Sequence, residues 1–364
     1  MALPSRSRMG ERAWTRRILL TGGAGFIGTN LVRYWVHNHP DHLVVNLDRL
    51  TYAGHREGIQ DLDGAANYRF VHGDICDMRL VETLFDEHGI DGVLHLAAES
   101  HVDRSIFEPL AFVRTNVLGT ATLLEVARSC WKDRGDVRFH HVSTDEVFGE
   151  LGREGAFRET TPYDPNSPYS ASKAGSDHLV RAYHRTFGVP VVITNCSNNY
   201  GPYQFPEKLI PLMIANALEG KALPIYGNGS NVRDWLYVED HCRAIDLVFH
   251  WGMNGETYNI GGDSERSNLQ VVTSLCDLLD EIAPRGPGIS YGSRIEFVRD
   301  RPGHDFRYAM DTTKITDQLG WAPYESFETG LRKTVEWYLR NDAWLRAVRG
   351  REFESWVAVN YHAR

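Results

Sequence analysis

A doubly wound parallel α/β sheet is the fold class the sequence predicts, and three observations carry it. Between residue 17 and about residue 200, short apolar runs alternate with amphipathic stretches, as strands alternate with helices in βαβ units. The first run, Arg17-Ile18-Leu19-Leu20, passes into Thr21-Gly22-Gly23-Ala24-Gly25-Phe26-Ile27-Gly28, a glycine-rich turn that opens a helix. The second run, Leu43-Val44-Val45-Asn46-Leu47-Asp48, ends on an acid about 20 residues beyond Gly28. Glycines at 22, 25 and 28 let the backbone turn tightly and let a pyrophosphate approach the free N–H groups of the helix start. An acid at the second strand end can hold the adenosine ribose hydroxyls and disfavours a 2′-phosphate. The pattern therefore predicts NAD over NADP, with Arg49 the one residue that speaks against the preference.

The other elements follow in order. Residues 68–75 read as a third strand whose end meets adenine, then a helix over 80–88 and a strand over 92–98. The small residues Ala97 and Ala98 let a nicotinamide ribose lie against the backbone. A long helical stretch spans 109–131, and residues 138–142 form the strand that leads into Ser143-Thr144-Asp145-Glu146. Ligands in such sheets sit at the carboxyl ends of strands, where Ala98, Ser100, Thr144 and Asp145 would gather. Two adjacent acids repel each other, a cost that suggests a site; the bland alternative is a solvated acidic turn. Neighbouring strand residues point to opposite faces, so both acids serve one small substrate only if the strand ends near Thr144 and the chain turns.

Residues 151–167 read as a loop. The segment Tyr169-Ser170-Ala171-Ser172-Lys173 then opens a helix to about residue 188, with Tyr169 and Lys173 on one face. A neighbouring ammonium lowers a tyrosine pKa from about 10. On that basis Tyr169 is a usable general base for a sugar or alcohol hydroxyl.

Beyond Tyr200 the alternation lapses into a helix over 207–218, short strands over 223–226 and 236–238, and a helix over 268–282. The division read from this is a disordered leader (1–16), a dinucleotide-binding domain with the catalytic residues (17–200), a smaller mixed α/β substrate lobe (201–340) that can cross back to the first domain, and a tail (341–364). A net charge of −9 argues against nucleic acid or an anionic membrane as partner, and no apolar window of membrane-spanning length is read. Residues 1–17 hold five arginines and lack the apolar core of a secretory signal. Five dispersed cysteines without a CxxC read as reduced thiols in the cytoplasm, and no HExxH or Cys/His cluster points to a metal.

Together, TGGAGFIG, Asp48, Leu96-Ala97-Ala98-Glu99-Ser100, Thr144 and YxxxK resemble the extended short-chain dehydrogenase/reductases that act on nucleotide sugars. Further runs narrow the resemblance to the 4,6-dehydratases that take dTDP-glucose: Asp48-Arg49-Leu50-Thr51-Tyr52-Ala53-Gly54, Thr144-Asp145-Glu146, Asn195-Cys196-Ser197-Asn198-Asn199-Tyr200, Phe205-Pro206-Glu207-Lys208-Leu209, Arg233-Asp234-Trp235 and Asp300-Arg301-Pro302-Gly303-His304. It covers about residues 17 to 340.

The resemblance implies a tightly held NAD, regenerated each turnover, on Gly22, Gly25, Phe26, Ile27 and Gly28. It adds Asp48, Arg49, Leu50 and Thr51, then Asp74 and Ile75, then Leu96, Ala97, Ala98 and Ser100, and finally Thr115, Tyr169, Lys173 and Asn199. It implies that Tyr169, supported by Lys173 and Thr144, deprotonates the hydroxyl on carbon 4 of the sugar. Glu146 would take the proton from carbon 5 and Asp145, protonated, would deliver one to the hydroxyl leaving carbon 6. For the substrate it implies Ser100, Thr144, Asn198, Leu209, Pro224, Ile225, Tyr226, Asn268 and His304, with Lys208, Arg233 and Arg301 on the diphosphate. It also implies a homodimer through the helices near 109–131 and 169–188. GDP-mannose or CDP-glucose dehydratases, a nucleotide-sugar 4-epimerase and a non-catalytic NAD-binding regulator are the competing readings. Asp145-Glu146 argues against the epimerase, and the retention of Tyr169 and Lys173 argues against the regulator.

Overall fold

The computed structural model describes residues 14–300 and 304–349. The leader expected at 1–16 falls mostly outside the described residues, as do Arg301 and most of the tail expected at 341–364. A seven-stranded, wholly parallel sheet organises the chain. Its strands are β1 (Arg16–Thr21), β2 (His42–Asp48), β3 (Tyr68–His72), β4 (Gly92–His95), β5 (Arg138–Thr144), β6 (Val191–Cys196) and β10 (Thr257–Ile260). They lie in the order β10-β6-β5-β4-β1-β2-β3. Alternation sets the two faces: Leu19, Leu43, Val45, Leu47, Val93 and Phe139 pack on one side, and Ile18, Leu20, Val44 and Leu94 on the other. The first side is covered by α2 (Met78–His88), α5 (Thr120–Cys130) and α6 (Pro168–Phe187). The second is covered by α1 (Phe26–Asn38) and α8 (Val238–Trp251). The doubly wound class is thus observed.

Between β4 and β5, α3 (Val102–Phe107) and α4 (Pro109–Phe112) precede α5, and a π-helical segment, Val113–Gly119, joins α4 to α5. The expected long helix is therefore continuous to Cys130 but widened in its middle, a distortion that favours functional sites. By length and composition Pro109–Cys130 could cross a membrane, contrary to the expectation that no such window exists. Its inner half is buried against the fold, as in the core helix of a packed domain.

The smaller lobe is built around one apolar cluster. It uses α7 (Leu209–Glu219), β8 (Leu223–Tyr226), α9 (Asn268–Ile282), β12 (Ile295–Val298) and α11 (Phe327–Arg340). β7 (Asn198–Tyr200), β9 (Val232–Tyr237) and β11 (Glu265–Ser267) form a three-stranded sheet beside it. The strand expected at 236–238 is in fact the end of β9, because Val238 already opens α8. The chain crosses back twice, first through α8 and β10 and again through α10 (Thr313–Leu319), which packs on β10. The expected tail begins instead as α12 (Asp342–Val348), since Leu345 and Val348, three residues apart, share one face and bury it in the lobe's core.

Gly262 sits where the chain leaves β10 for β11. Its N–H donates to Asp234 Oδ2 at 3.0 Å, and a Cβ there would meet the Trp235 carbonyl oxygen at 1.8 Å. Gly262→Ala should therefore lower unfolding free energy by ~1–3 kcal/mol, read as an earlier urea midpoint with unchanged slope.

Candidate active site

The carboxyl ends of β1, β2, β4, β5 and β6 open into one cavity of about 310 Å³. At its base the glycine turn is closely packed. Gly22 adopts φ +76°, and a Cβ at Gly28 would meet the Gly22 carbonyl oxygen at 2.0 Å. At Gly25, by contrast, a Cβ would find only that oxygen, at 3.4 Å, so this side of the turn is open. Gly25 also N-caps α1 without a side-chain hydrogen bond, leaving the first-turn N–H groups available to an anion. Asp48 ends β2 and accepts from the N–H groups of Ala24 (2.8 Å) and Leu50 (2.7 Å), which aims its carboxyl across the turn. Arg49 pairs with Asp74 at 3.4 Å, which turns the one unfavourable cation toward an acid on the next strand end. These features fit the adenosine half of a dinucleotide.

Thr115 comes from the π-helical segment, and its neighbour Asn116 bonds both backbone groups of Glu99 and the Ser172 hydroxyl. The widened turn thus ties the wall after β4 to α6. Of the expected cofactor residues, all line the cavity except Leu50, which serves from behind by donating to Asp48. Of the expected substrate residues, Ser100, Thr144, Asn198 and Lys208 line it. Leu209, Pro224, Ile225, Tyr226, Arg233, Asn268 and His304 do not; they lie in the smaller lobe. There the rings of Tyr226 and His304 meet edge to face at 6.1 Å, and Arg233 donates to the carbonyls of Val232, Asp305 and Phe306.

At the other end the catalytic candidates converge. β5 stops at Thr144, whose hydroxyl accepts from the Glu146 N–H at 3.2 Å, and the chain turns through a short 3-10 helix, Asp145–Phe148. That turn is what lets both acids border one cavity. α6 begins with a capping box between Ser167 and Ser170 and with Pro168 in its first turn, so the placement of Tyr169 is stiff. Asp145 is 2 % exposed; burial first and then the charge of Glu146 push its carboxyl well above the usual carboxylate range. One of its oxygens, Oδ2, is buried without a hydrogen-bond partner.

Burial and then the charge of Glu146 raise the pKa of the Tyr169 phenol, opposite to the lowering expected from a neighbouring Lys173, so a base at Tyr169 needs the Lys173 charge to work against burial. Spacing put the two on one helix face, but the Lys173 ammonium donates to the Val142 carbonyl at 2.9 Å. Sequence reasoning also gave no role to Glu99 or Glu207, both of which line the cavity. Glu207 is 4 % exposed, and its acidity is pushed up to about 7, by burial chiefly. Its only sequence signal was its place beside Lys208.

The histidines are engaged elsewhere. His140 bonds Thr194, and His141 bonds Asp177. His39, His42 and His250 come together behind the sheet, where His39 and His250 bond Asp246 and Trp35 donates to His42.

A family model described as GDP-mannose 4,6 dehydratase matches residues 19–334. The chain is 56 % identical over 362 residues to a dTDP-glucose 4,6-dehydratase of Salmonella typhimurium, covering 96 % of this chain and 99 % of that one. Among solved structures, a dTDP-glucose 4,6-dehydratase of Streptomyces venezuelae with NAD and dTDP bound is 48 % identical with a TM-score of 0.84, over 91 % of this chain and 99 % of that one. A UDP-glucose 4-epimerase of Thermotoga maritima is 31 % identical with a TM-score of 0.79, over 89 % and 99 %.

Folding raises the pKa of Asp145. Its proton is held more tightly folded than unfolded, so its share of stability is whole below the unfolded value of about 3.9 and is lost as pH rises through the folded one. Asp145→Asn, neutral throughout, should show a melting temperature that gains on the unchanged protein as pH climbs from 4 to 8. A constant difference would contradict a buried, neutral Asp145.

Proposed function

The chain belongs to the dTDP-glucose 4,6-dehydratases of the extended short-chain dehydrogenase/reductases, and we propose that it converts dTDP-glucose to dTDP-4-keto-6-deoxyglucose and water with the residues assembled at this cavity. The observation that carries the residue roles is a buried Asp145, its carboxyl pushed above the usual carboxylate range, beside Glu146 in the cavity that Tyr169 also lines. NAD is the cofactor, and when bound it accepts hydride from carbon 4 and returns it to carbon 6.

The chain's own groups divide the protons. Tyr169, next to the Thr144 hydroxyl, takes the proton from the carbon 4 hydroxyl, and Lys173, cationic in the same wall, favours that loss. The ketone formed at carbon 4 acidifies carbon 5, and Glu146 removes that proton. Asp145 gives its own proton to the hydroxyl leaving carbon 6, so the two acids work in opposite senses, as crowding drives their affinities apart. The closed, apolar surroundings that raise Asp145 also exclude water from the ketone.

The diphosphate falls to Lys208 and Arg233, and to Arg301, which lies outside the described residues. Lys208 N-caps α7 without a side-chain hydrogen bond, so its ammonium and the first-turn N–H groups together favour an anion at the cavity rim. Pro224, Ile225 and Tyr226 of β8, His304, whose ring meets that of Tyr226, and Asn268 at the start of α9 suit the nucleoside end. A homodimer and a cytoplasmic setting complete the reading. Phe107, Leu110, Val113, Leu118 and Phe187 are exposed along the α3–α6 flank, an apolar surface that a second copy would cover. All five cysteines are free, as in a reducing compartment.

Incubation of the purified protein with dTDP-glucose should yield the 4-keto-6-deoxy product; recovery of a 4-epimer alone would favour the epimerase. Glu146→Gln should still oxidise carbon 4 but stall, so reduced-nicotinamide absorbance builds up under substrate. With Tyr169→Phe that absorbance should stay flat, and a normal build-up would assign the base elsewhere.

A further inference from the structure

The catalytic pair on α6 continues beyond Lys173. Tyr169, Lys173, Asp177 and Arg181 follow at four-residue steps, so they share one face of the helix. Lys173 is 4 % exposed and Asp177 fully buried, one turn apart against the same strand. That strand is β5, which carries the acids. Lys173 takes the Val142 carbonyl, while Asp177 reaches the side chains on either side of it. His141 Nε2 meets Asp177 Oδ1 at 3.0 Å, and the Ser143 hydroxyl donates to Oδ2 at 2.9 Å. Tyr163, from the preceding loop, donates to Oδ2 at 2.7 Å, and Arg181 donates to the Tyr163 hydroxyl at 2.7 Å.

We propose that Asp177 is a positioning residue for the reaction: its buried carboxylate is the counter-ion that keeps Lys173 cationic beside the catalytic tyrosine. A buried ammonium bonded to one neutral carbonyl would tend to shed its proton. The groups that face Lys173 are His95 on β4, His141 on β5, Cys196 on β6 and Asp177 on its own helix. Burial keeps His95 and His141 neutral, the latter lowered to about 4, and pushes the Cys196 thiol up to about 12. That leaves Asp177 as the anion of the set among the described residues. Burial alone would push the Asp177 carboxyl up, but the His141 hydrogen bond, the Lys173 charge and the Tyr163 hydrogen bond hold it below its usual value. Burial in turn draws Lys173 below its ordinary value, and Asp177 opposes that fall. Asp177 touches neither substrate nor cofactor surface, being absent from the cavity wall.

The inference rests on the support given to Tyr169 by Lys173 in the proposed function. Asp177→Asn tests it, because the Ser143 and Tyr163 hydroxyls can accept as well as donate and so can bond an amide of the same shape. With the NAD-loaded variant and dTDP-glucose, the alkaline limb of the kcat profile should move to lower pH by about one unit or more, with KM little changed. Asp177→Glu should restore the limb toward its original position, and Tyr163→Phe, which keeps the charge, should leave it in place. An unmoved limb in folded Asp177→Asn, a rate lowered equally at every pH, or an equal shift in Tyr163→Phe would overturn the proposal. If Asp177→Asn does not fold, Asp177→Ser is the second uncharged variant. Failure of both to fold would show that the carboxylate serves the fold and would overturn it too. Inactivity of the unchanged protein on dTDP-glucose would instead strike the proposed function, so the two failures are distinguishable.

Discussion

Exclusion of water from the junction of β5 and α6 is the constraint on which the site depends. Asp145, Tyr169, Lys173 and Asp177 are all buried there, and burial works against the charged form of each. An isolated buried charge costs several kcal/mol even after relaxation. Burial therefore favours the uncharged forms of Asp145, Tyr169 and the facing histidines, and Lys173 has Asp177 nearby. At Asp145, Tyr169 and Lys173 burial is the largest influence, whereas at Asp177 the neighbouring His141, Lys173 and Tyr163 outweigh it.

That ordering explains which parts of the site were legible in the sequence. The glycine turn, Asp48 and the strand ends could be read because their roles follow from backbone geometry, which leaves a mark at fixed spacing. Gly22 and Gly28 occupy positions where a Cβ would strike backbone atoms, so no other residue gives the same pattern. The hydrogen-bond partner of Lys173 was not legible, because four-residue spacing reports a shared face and not a distance. The ammonium went to the Val142 carbonyl, a partner that exists only once α6 lies on β5. Glu99 and Glu207 were silent for a similar reason, since neither follows a periodic pattern and each becomes a wall residue only through tertiary packing. In the smaller lobe the helices over 209–219 and 268–282 showed through their apolar faces, whereas the extent of β9 was obscured by the immediate start of α8.

The same burial also accounts for the π-helical segment. A regular helix from Pro109 to Cys130 would present one continuous face to the sheet. Widening the turn at Val113–Gly119 places Thr115 at the cavity while Asn116 grips the backbone of Glu99 and the side chain of Ser172. One extra residue in the turn thus couples the wall after β4 to the helix that carries the catalytic pair.

The crossings between the lobes complete the argument, because a site sealed on one side only would still be wet. α8 packs under β1 and β4, and β10 extends the sheet beyond β6, so the smaller lobe is attached through the core of the larger one and not by a linker. Tyr200 and Tyr237, on β7 and β9, pack into the smaller lobe's core, with the Tyr200 hydroxyl donating to the Phe327 carbonyl. β7 follows one residue after β6, and in that short passage Asn198 and Asn199 face the cavity. The segment that forms one wall of the site is therefore also the segment that joins the two cores. Loosening that junction would admit water to Asp145 and Tyr169 together, and their pKa values would fall toward ordinary ones at the same time.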